Sequence, residues 1–410
     1  MLATTTARLN REMPILDWYL MPEAYSAPLV RDAIHEFNVR EGGTVLDPFC
    51  GTGTTLVAAQ LAGCNALGIE VNPFLCFASR VKSRCDFDLP RLRIEVDQML
   101  EQAREMLAQL HKGKLRQAEE ALPQMPRLDR WMARRVALKV VALRECIEEQ
   151  VSAPNRDLPM LALASILRGT SNMKLSPHSF GSREVKQDAP VLCLFENKIR
   201  KMLADIEWLN DQQEPGHADV IEGDIRRAAD LKHHLLPVDL AITSPPYLNN
   251  LDYTMQTRLE LFFLGFIKNM EELKELRKRM MICDAKATYR DVEDWRCVED
   301  IPSIRNIAQA IDDKLGDKGW GWDYGRMTRQ YFGGLLRALE AIKPMLAPGA
   351  SLVLILGESA HAGILVPVPD IVAELGQIAG YGKTDVRSMR FRRSSSHSFS
   401  LKESAVILKS

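Results

Sequence analysis

Three acidic residues stand where apolar runs end. Asp47 closes GTVLD (43–47), Glu70 closes NALGIE (65–70), and Asp224 follows DVIE within EGDI. Asp47 opens onto PFCGTGTT, where Gly51 and Gly53 let a ligand approach the backbone and the start of the next helix offers unpaired N–H groups. A carboxylate in front of that turn repels a phosphate and suits a ligand with a positive group, such as an amino-acid moiety beside a sulfonium. Glu70 is placed to accept hydrogen bonds from both hydroxyls of a ribose, and Asp224 from an adenine amine. Taken singly, these acids could be ordinary loop entries. Together they describe a nucleoside with a cationic tail, which S-adenosyl-L-methionine fits better than NAD or ATP.

The second chemical feature is TSPPY (243–247), directly after the apolar run 238–242. Two consecutive prolines fix the backbone and leave carbonyl oxygens with no adjacent N–H competing for them. Ser244 and the following main-chain carbonyl can accept from an exocyclic amine, and Tyr247 offers a flat face to a base. The amine of an aminopyrimidine or aminopurine is a poor nucleophile because its lone pair is delocalised into the ring. Acceptors on its two hydrogens favour a more tetrahedral nitrogen, so orientation and preorganised electrostatics can replace a strong base. A base inside a duplex must leave the stack to reach such a pocket. The plainer alternative is a strand terminator followed by a core aromatic.

These residues need a frame that brings strand ends together. The runs 43–47 and 65–70 bracket a loop and an Ala- and Leu-rich segment, which predicts a βαβ unit. Further strands are expected at 219–222, 238–242 and 351–356. TDVRSMRFRR and ESAVILKS predict a terminal antiparallel hairpin. The expected fold class is α/β, a doubly wound, Rossmann-like sheet. Between about 90 and 216 the apolar spacing turns helical, as in Phe195, Ile199, Met202, Ile206 and Leu209, so a large helical insertion is expected. The chain has 410 residues, 46% hydrophobic, enough for two domains or one domain with a large insertion. Its division reads as 1–89 (cofactor-binding), 90–216 (helical insertion, a candidate for target recognition), 217–269 (carrying TSPPY), 270–325 (irregular, a candidate DNA contact) and 326–410 (the C-terminal catalytic part).

No apolar run reaches membrane-helix length and no signal-like block opens the chain, so a cytoplasmic protein without membrane contact is expected. Eight scattered cysteines form no metal-binding spacing, and no metal is expected. A formal net charge of −1 does not announce a polyanion partner, although it can conceal a basic face.

LDPFCGTGTT and TSPPY resemble motifs I and IV of the S-adenosylmethionine-dependent DNA amino-methyltransferases, and GIEVNP resembles their motif II. The resemblance covers about 14–85, 219–265 and 327–410, and implies the class I methyltransferase sheet. It implies that Asp47, Phe49, Gly51, Thr52 and Gly53 hold the methionine end of the cofactor, Glu70 and Val71 the ribose, and Asp224 the adenine. Ser244, Pro245, Pro246 and Tyr247 would form the catalytic pocket. PEAYSAPLVRDAIHEF (22–37) resembles the family's cofactor-covering helix. SPPY is written most often in cytosine-N4 enzymes and DPPY mostly in adenine-N6 enzymes, so Ser244 implies cytosine N4. The implied partners are double-stranded DNA and a cognate restriction nuclease; the oligomeric state stays open. Adenine-N6 methylation, RNA guanosine-N2 methylation and a catalytically silent nucleic-acid binder are the alternatives. RWMARR (130–135), KELRKR (274–279), the 169–190 loop with Lys174, His178, Arg183 and Lys186, and RFRR (390–393) are candidate nucleic-acid contacts, against the plainer reading of solvated faces. GWGWDYG (319–325) is either a wedge for the hole left by a flipped base or a packed loop.

Overall fold

The computed structural model describes residues 6–111, 116–173, 186–212, 215–231, 237–287, 289–316, 323–393 and 400–410. Strands β1 (Thr44–Asp47) and β2 (Asn65–Glu70) pair in parallel around α2 (Thr54–Gln60), the expected βαβ unit. β3 (Ala218–Glu222) extends the sheet beyond β2, and β4 (Val238–Thr243) pairs with the other side of β1. β5 (Leu346–Gly357) is parallel to β4. It starts earlier than expected because Gly349, at φ +79°, allows an irregularity: Val238 pairs with Leu346, but Leu240 pairs with Ser351. A small separate hairpin joins β6 (Ser359–His361) to β7 (Ile364–Val366).

The terminal hairpin is β8 (Lys383–Arg393) and β9 (Ser400–Lys409), antiparallel as expected. The order of the seven-stranded sheet is β3-β2-β1-β4-β5-β9-β8, so the last strand in sequence inserts beside β5. Composition explains that order. The run from Ser404 to Leu408 is buried throughout, whereas β8 is charged and largely exposed, as an edge strand requires.

Alternate residues of the central strands feed two cores. Val45, Leu240, Ile242, Val353 and Ile355 face one side, with α1 (Ala27–Glu36), α2 and α3 (Pro73–Ser83). Leu46, Ala241, Leu352, Leu354 and Leu356 face the other. That second side is covered by α13 (Pro302–Leu315), α14 (Tyr324–Ile342) and α15 (Val368–Ile378). A Cβ on Gly333 of α14 would lie 1.9 Å from the Asp294 carbonyl oxygen, so only glycine admits the 3-10 turn Asp294–Val298 against this helix.

The described residues between 89 and 210 include α4 (Leu89–His111), α5 (Arg116–Glu120), α6 (Leu128–Trp131), α7 (Arg134–Gln150), α8 (Ala153–Thr170) and α9 (Val191–Asn210). Phe195, Ile199, Met202 and Ile206 are fully buried and belong to the same core cluster as α1 to α3. Asp205, on the same side of α9, accepts from Ile15 N (3.0 Å) and Trp18 Nε1 (2.8 Å), tying α9 to the N-terminal segment. The short α10 (Tyr253–Gln256) and α11 (Arg258–Phe263), then α12 (Met270–Arg279), follow the TSPPY tip. Among the described residues no helix is long and apolar enough to cross a membrane, and no group of His, Cys, Asp and Glu could hold a metal ion.

Candidate active site

The strand order reverses between β1 and β4, and a cavity of about 300 Å³ opens there, at the C-terminal strand ends. It is lined by Asp47, Phe49, Gly51, Thr52, Glu70, Val71, Asp224, Ser244, Pro245, Pro246 and Tyr247. Gly53 is the expected site residue that does not line it. At φ +78° Gly53 caps α2, and a Cβ there would come within 3.2 Å of Ser79 Cα, so its part is the turn and the helix packing behind it.

Asp47 is buried, and both its oxygens are taken by the protein. Oδ1 accepts from Phe49 N (3.1 Å) and Thr243 Oγ1 (2.6 Å); Oδ2 accepts from the Tyr25 hydroxyl (2.9 Å) and Thr55 Oγ1 (2.5 Å). One carboxylate thereby joins β1, the end of β4, α2 and the segment before α1. Burial pushes its pKa up, opposed by the Thr243, Thr55 and Tyr25 hydroxyls. With its lone-pair sites used, Asp47 can act on a cationic ligand as a fixed negative charge rather than as an open acceptor.

Glu70 differs. Its Oε2 accepts from Gly51 N (2.9 Å) and its Oε1 from Asn72 N (2.8 Å), leaving lone-pair capacity on each oxygen for a vicinal diol. Burial pushes its pKa up to about 7, opposed by the Asn72 and Gly51 N–H groups. Gly51, at φ +52°, would place a Cβ with no atom within 4 Å, so the loop backbone borders open space. The carboxylate with spare acceptors and the open glycine backbone fit a ribose and an amino-acid tail.

Asp224 lines the cavity, but its carboxylate is held by Arg226, whose Nε lies 2.9 Å from Oδ1 and whose Nη2 lies 2.8 Å from Oδ2. Arg226 also reaches Asp294 Oδ2 (2.6 Å) and the Arg279 carbonyl (2.6 Å). Burial alone would lower the Arg226 pKa; the Asp224 and Asp294 carboxylates raise it.

The TSPPY tip is anchored from several sides. Thr243 is bound to Asp47, and Pro245 is buried. Tyr253 OH accepts from Tyr247 N (3.3 Å), and the Leu248 carbonyl lies 3.1 Å from His361 Nε2 and accepts from Ser359. Asn250, at φ +61°, accepts from Ala285 N (2.9 Å). The Tyr247 hydroxyl donates to Glu403 Oε1 (3.0 Å), and Glu403 also pairs with Arg390. Burial and the Glu403 charge push the Tyr247 pKa up, opposed by a hydrogen bond with Ser244, so the hydroxyl stays a donor.

Among the described residues, most cations of the candidate nucleic-acid clusters are ion-paired. Arg134 meets Glu119 (2.9 Å), Arg135 meets Asp188 (3.3 Å), and Lys278 meets Asp291 (2.7 Å). Arg277 turns inward to Asp252, which caps α10. Arg390 and Arg392 belong to the cavity wall. Lys174, His178 and Arg183, and Trp320 and Trp322 of GWGWDYG, lie outside the described residues.

Sequence reasoning missed Arg226, Glu403 and Tyr253. Glu403 had a signal: in the alternation of β9 it falls on the same side as Leu401, Ala405 and Ile407, and a buried charge requires a partner. Arg226 stands two residues after Asp224, but nothing in the sequence shows that it turns back to that carboxylate or reaches Asp294, far along the chain.

Residues 19–80 match the family model described as DNA methylase. Over 94% of its length the chain is 22% identical to the Type II methyltransferase M.BsoBI of Geobacillus stearothermophilus, covering 82% of that protein. It is 25% identical to the Type II methyltransferase M.AvaI of Nostoc sp. over 91% of this chain and 80% of that one. A shorter stretch, 15% of this chain and 18% of the relative, is 37% identical to the tRNA (guanine(10)-N2)-dimethyltransferase of Methanocaldococcus jannaschii. The chain is similar along nearly its whole length to methyltransferases, and the methyl donor these relatives imply is S-adenosylmethionine.

Proposed function

We propose that this protein is a DNA methyltransferase that moves a methyl group from S-adenosylmethionine to the exocyclic N4 amine of cytosine, on a base turned out of duplex DNA. The observation that carries the reading is one cavity shared by Glu70, the glycine loop and the TSPPY tip. The full-length similarity to Type II methyltransferases supports a DNA target over an RNA one, since the tRNA enzyme matches only a short stretch. It also supports a cognate restriction nuclease as partner.

The bound cofactor supplies an electrophilic methyl group on a sulfonium. The chain supplies position. Glu70 would accept from the ribose diol, Asp224 would stand toward the adenine, and the Asp47 charge would favour the cationic tail. Ser244 Oγ and the Pro245 carbonyl would accept the two amine hydrogens and so orient the nitrogen lone pair toward the methyl group that the sulfonium gives up. One amine proton then leaves along these hydrogen bonds to solvent. Tyr247, held by Glu403, presents a fixed ring to the base. A serine where an aspartate would add a charge favours cytosine. The segments 90–216 and 270–325 are the candidates for reading DNA sequence, because the remaining segments build the sheet and the cavity.

Purified protein is incubated with unmethylated duplex DNA and cofactor, and the DNA is digested to nucleosides for mass spectrometry. N4-methyldeoxycytidine is the expected product. N6-methyldeoxyadenosine alone would overturn the cytosine assignment, and incorporation into tRNA but not DNA would overturn the DNA target.

A further inference from the structure

The end of the cavity near Tyr247 carries donors as well as acceptors. Arg392, on β8, lines it with its guanidinium carbon 5.9 Å from the Tyr247 ring centre. Its Nη2 donates to the Glu358 carbonyl at 2.5 Å. A Cβ on Gly357 would lie 2.9 Å from that Nη2 and 3.2 Å from Tyr247 Cε2, so the bare backbone of β5 lets both side chains come close. Arg392 Nε is buried and has no hydrogen-bond partner among the described residues. Its neighbour Arg390 spends its own Nε on Glu403. A buried guanidinium N–H without an acceptor is unfavourable, and its place in the wall of the cavity suggests an acceptor that arrives with the substrate.

We propose that Arg392 determines base specificity by donating this Nε–H, together with the second N–H of Nη2, to N3 and O2 of the flipped base. The inference rests on the cytosine-N4 reading. With its amine held by Ser244 and the Pro245 carbonyl, cytosine presents N3 and then O2 along the same edge, two acceptors in a row. Adenine presents N1 and then a C–H. A guanidinium fork satisfies both positions of cytosine and meets a non-acceptor on adenine. At 5.9 Å from the ring centre the guanidinium leaves part of the Tyr247 face for a base, which would meet it edge to edge.

The test is a cycle between one side chain and one base atom. Single-turnover methylation is measured with wild type, R392K and R392M on a duplex carrying the enzyme's mapped site, with cytosine or 2-thiocytosine at the target. Replacing O2 by sulfur weakens that acceptor. Wild type is expected to slow on 2-thiocytosine. R392M should lose on the order of 10- to 100-fold in rate on cytosine and show no further loss on 2-thiocytosine. Calorimetry should give R392M unchanged cofactor affinity, since the residue serves the base and not the cofactor. R392K keeps the cation and most of the packing, and should lose sensitivity to sulfur in the same way. Equal slowing by 2-thiocytosine in all three proteins, or a wild-type rate for R392M, would overturn the role of Arg392. Methylated adenine as the wild-type product would overturn the cytosine reading itself, an outcome visible without any variant.

Discussion

The two ends of the active cavity are built differently. The proposed cofactor end comes mostly from one contiguous stretch: Asp47, the glycine loop and Glu70 lie on a single βαβ unit, with Gly51 N donating to Glu70, and only Asp224 is added from beyond β3. The target end is assembled from distant pieces: the TSPPY tip of β4, Gly357 on β5, Arg392 on β8 and Glu403 on β9. On the proposed function, a ligand common to many proteins would be held by a compact motif, whereas a base that must be told from other bases would be held by a wall of separately placed side chains. The family-model match falls on 19–80, whereas the similarity to the Type II methyltransferases runs through both ends.

The comparison can be broken most severely at Tyr247. Tyr247→Ala should lower single-turnover methylation by roughly 10²- to 10³-fold while leaving cofactor affinity unchanged, because orientation at the target end is lost and the cofactor end is intact. Equal losses in both, by calorimetry and rapid quench, would mean that the ends are not separable.

Arg226 sits behind the cofactor end and tests whether that end is as local as it looks. Arg226→Met leaves the part-buried Asp224 without its cation while Asp294 keeps Arg337, and should destabilise the fold by about 3 kcal/mol in denaturant melts. A loss below about 1 kcal/mol, typical of an exposed pair, would show that the link to Asp294 is dispensable.

Glu70→Gln keeps the shape but removes the charge and one acceptor set. Cofactor affinity should fall on the order of 10- to 100-fold by calorimetry, with the product nucleoside unchanged. A change of product instead would tie Glu70 to the target end.

The smallest effect is with pH. Burial raises the Glu70 pKa to about 7 in the free protein, and two donated hydroxyls would lower it again on binding. Affinity is therefore full above about pH 7 and falls as pH drops through it, by up to about tenfold per unit. Stability without cofactor runs the other way: the folded pKa lies above the unfolded 4.5, so this contribution is complete at low pH and is lost as pH rises through about 7. The thermal shift produced by cofactor should accordingly grow between pH 6 and 8, and a flat profile would show that Glu70 is already ionised in the free cavity.

Much of the proposed cofactor end was legible in the sequence because its signals are local. Strand ends, a glycine turn and a helix start follow one another within a few residues, and a proline pair announces a stiff tip wherever the strand beneath it lies. The target end was not legible in this way. Arg390 and Arg392 read as a basic cluster for phosphates, yet one pairs with Glu403 and the other lies over Tyr247. Asp224 read as an open acceptor, yet Arg226 occupies it, and nothing in the sequence showed that partners from Tyr25 to Thr243 take both oxygens of Asp47.

By itself the sequence determined the periodicities, the βαβ unit, the helical run after residue 90 and the chemical types at the strand tips, since each follows from burial pattern and backbone preference over short spans. Tertiary structure alone decided that β9 lies inside β8, that Gly357 gives way to Tyr247 and Arg392, and which carboxylates keep free lone pairs. Those outcomes depend on pairing between segments far apart in the chain, and no spacing rule encodes which of several charged side chains will meet.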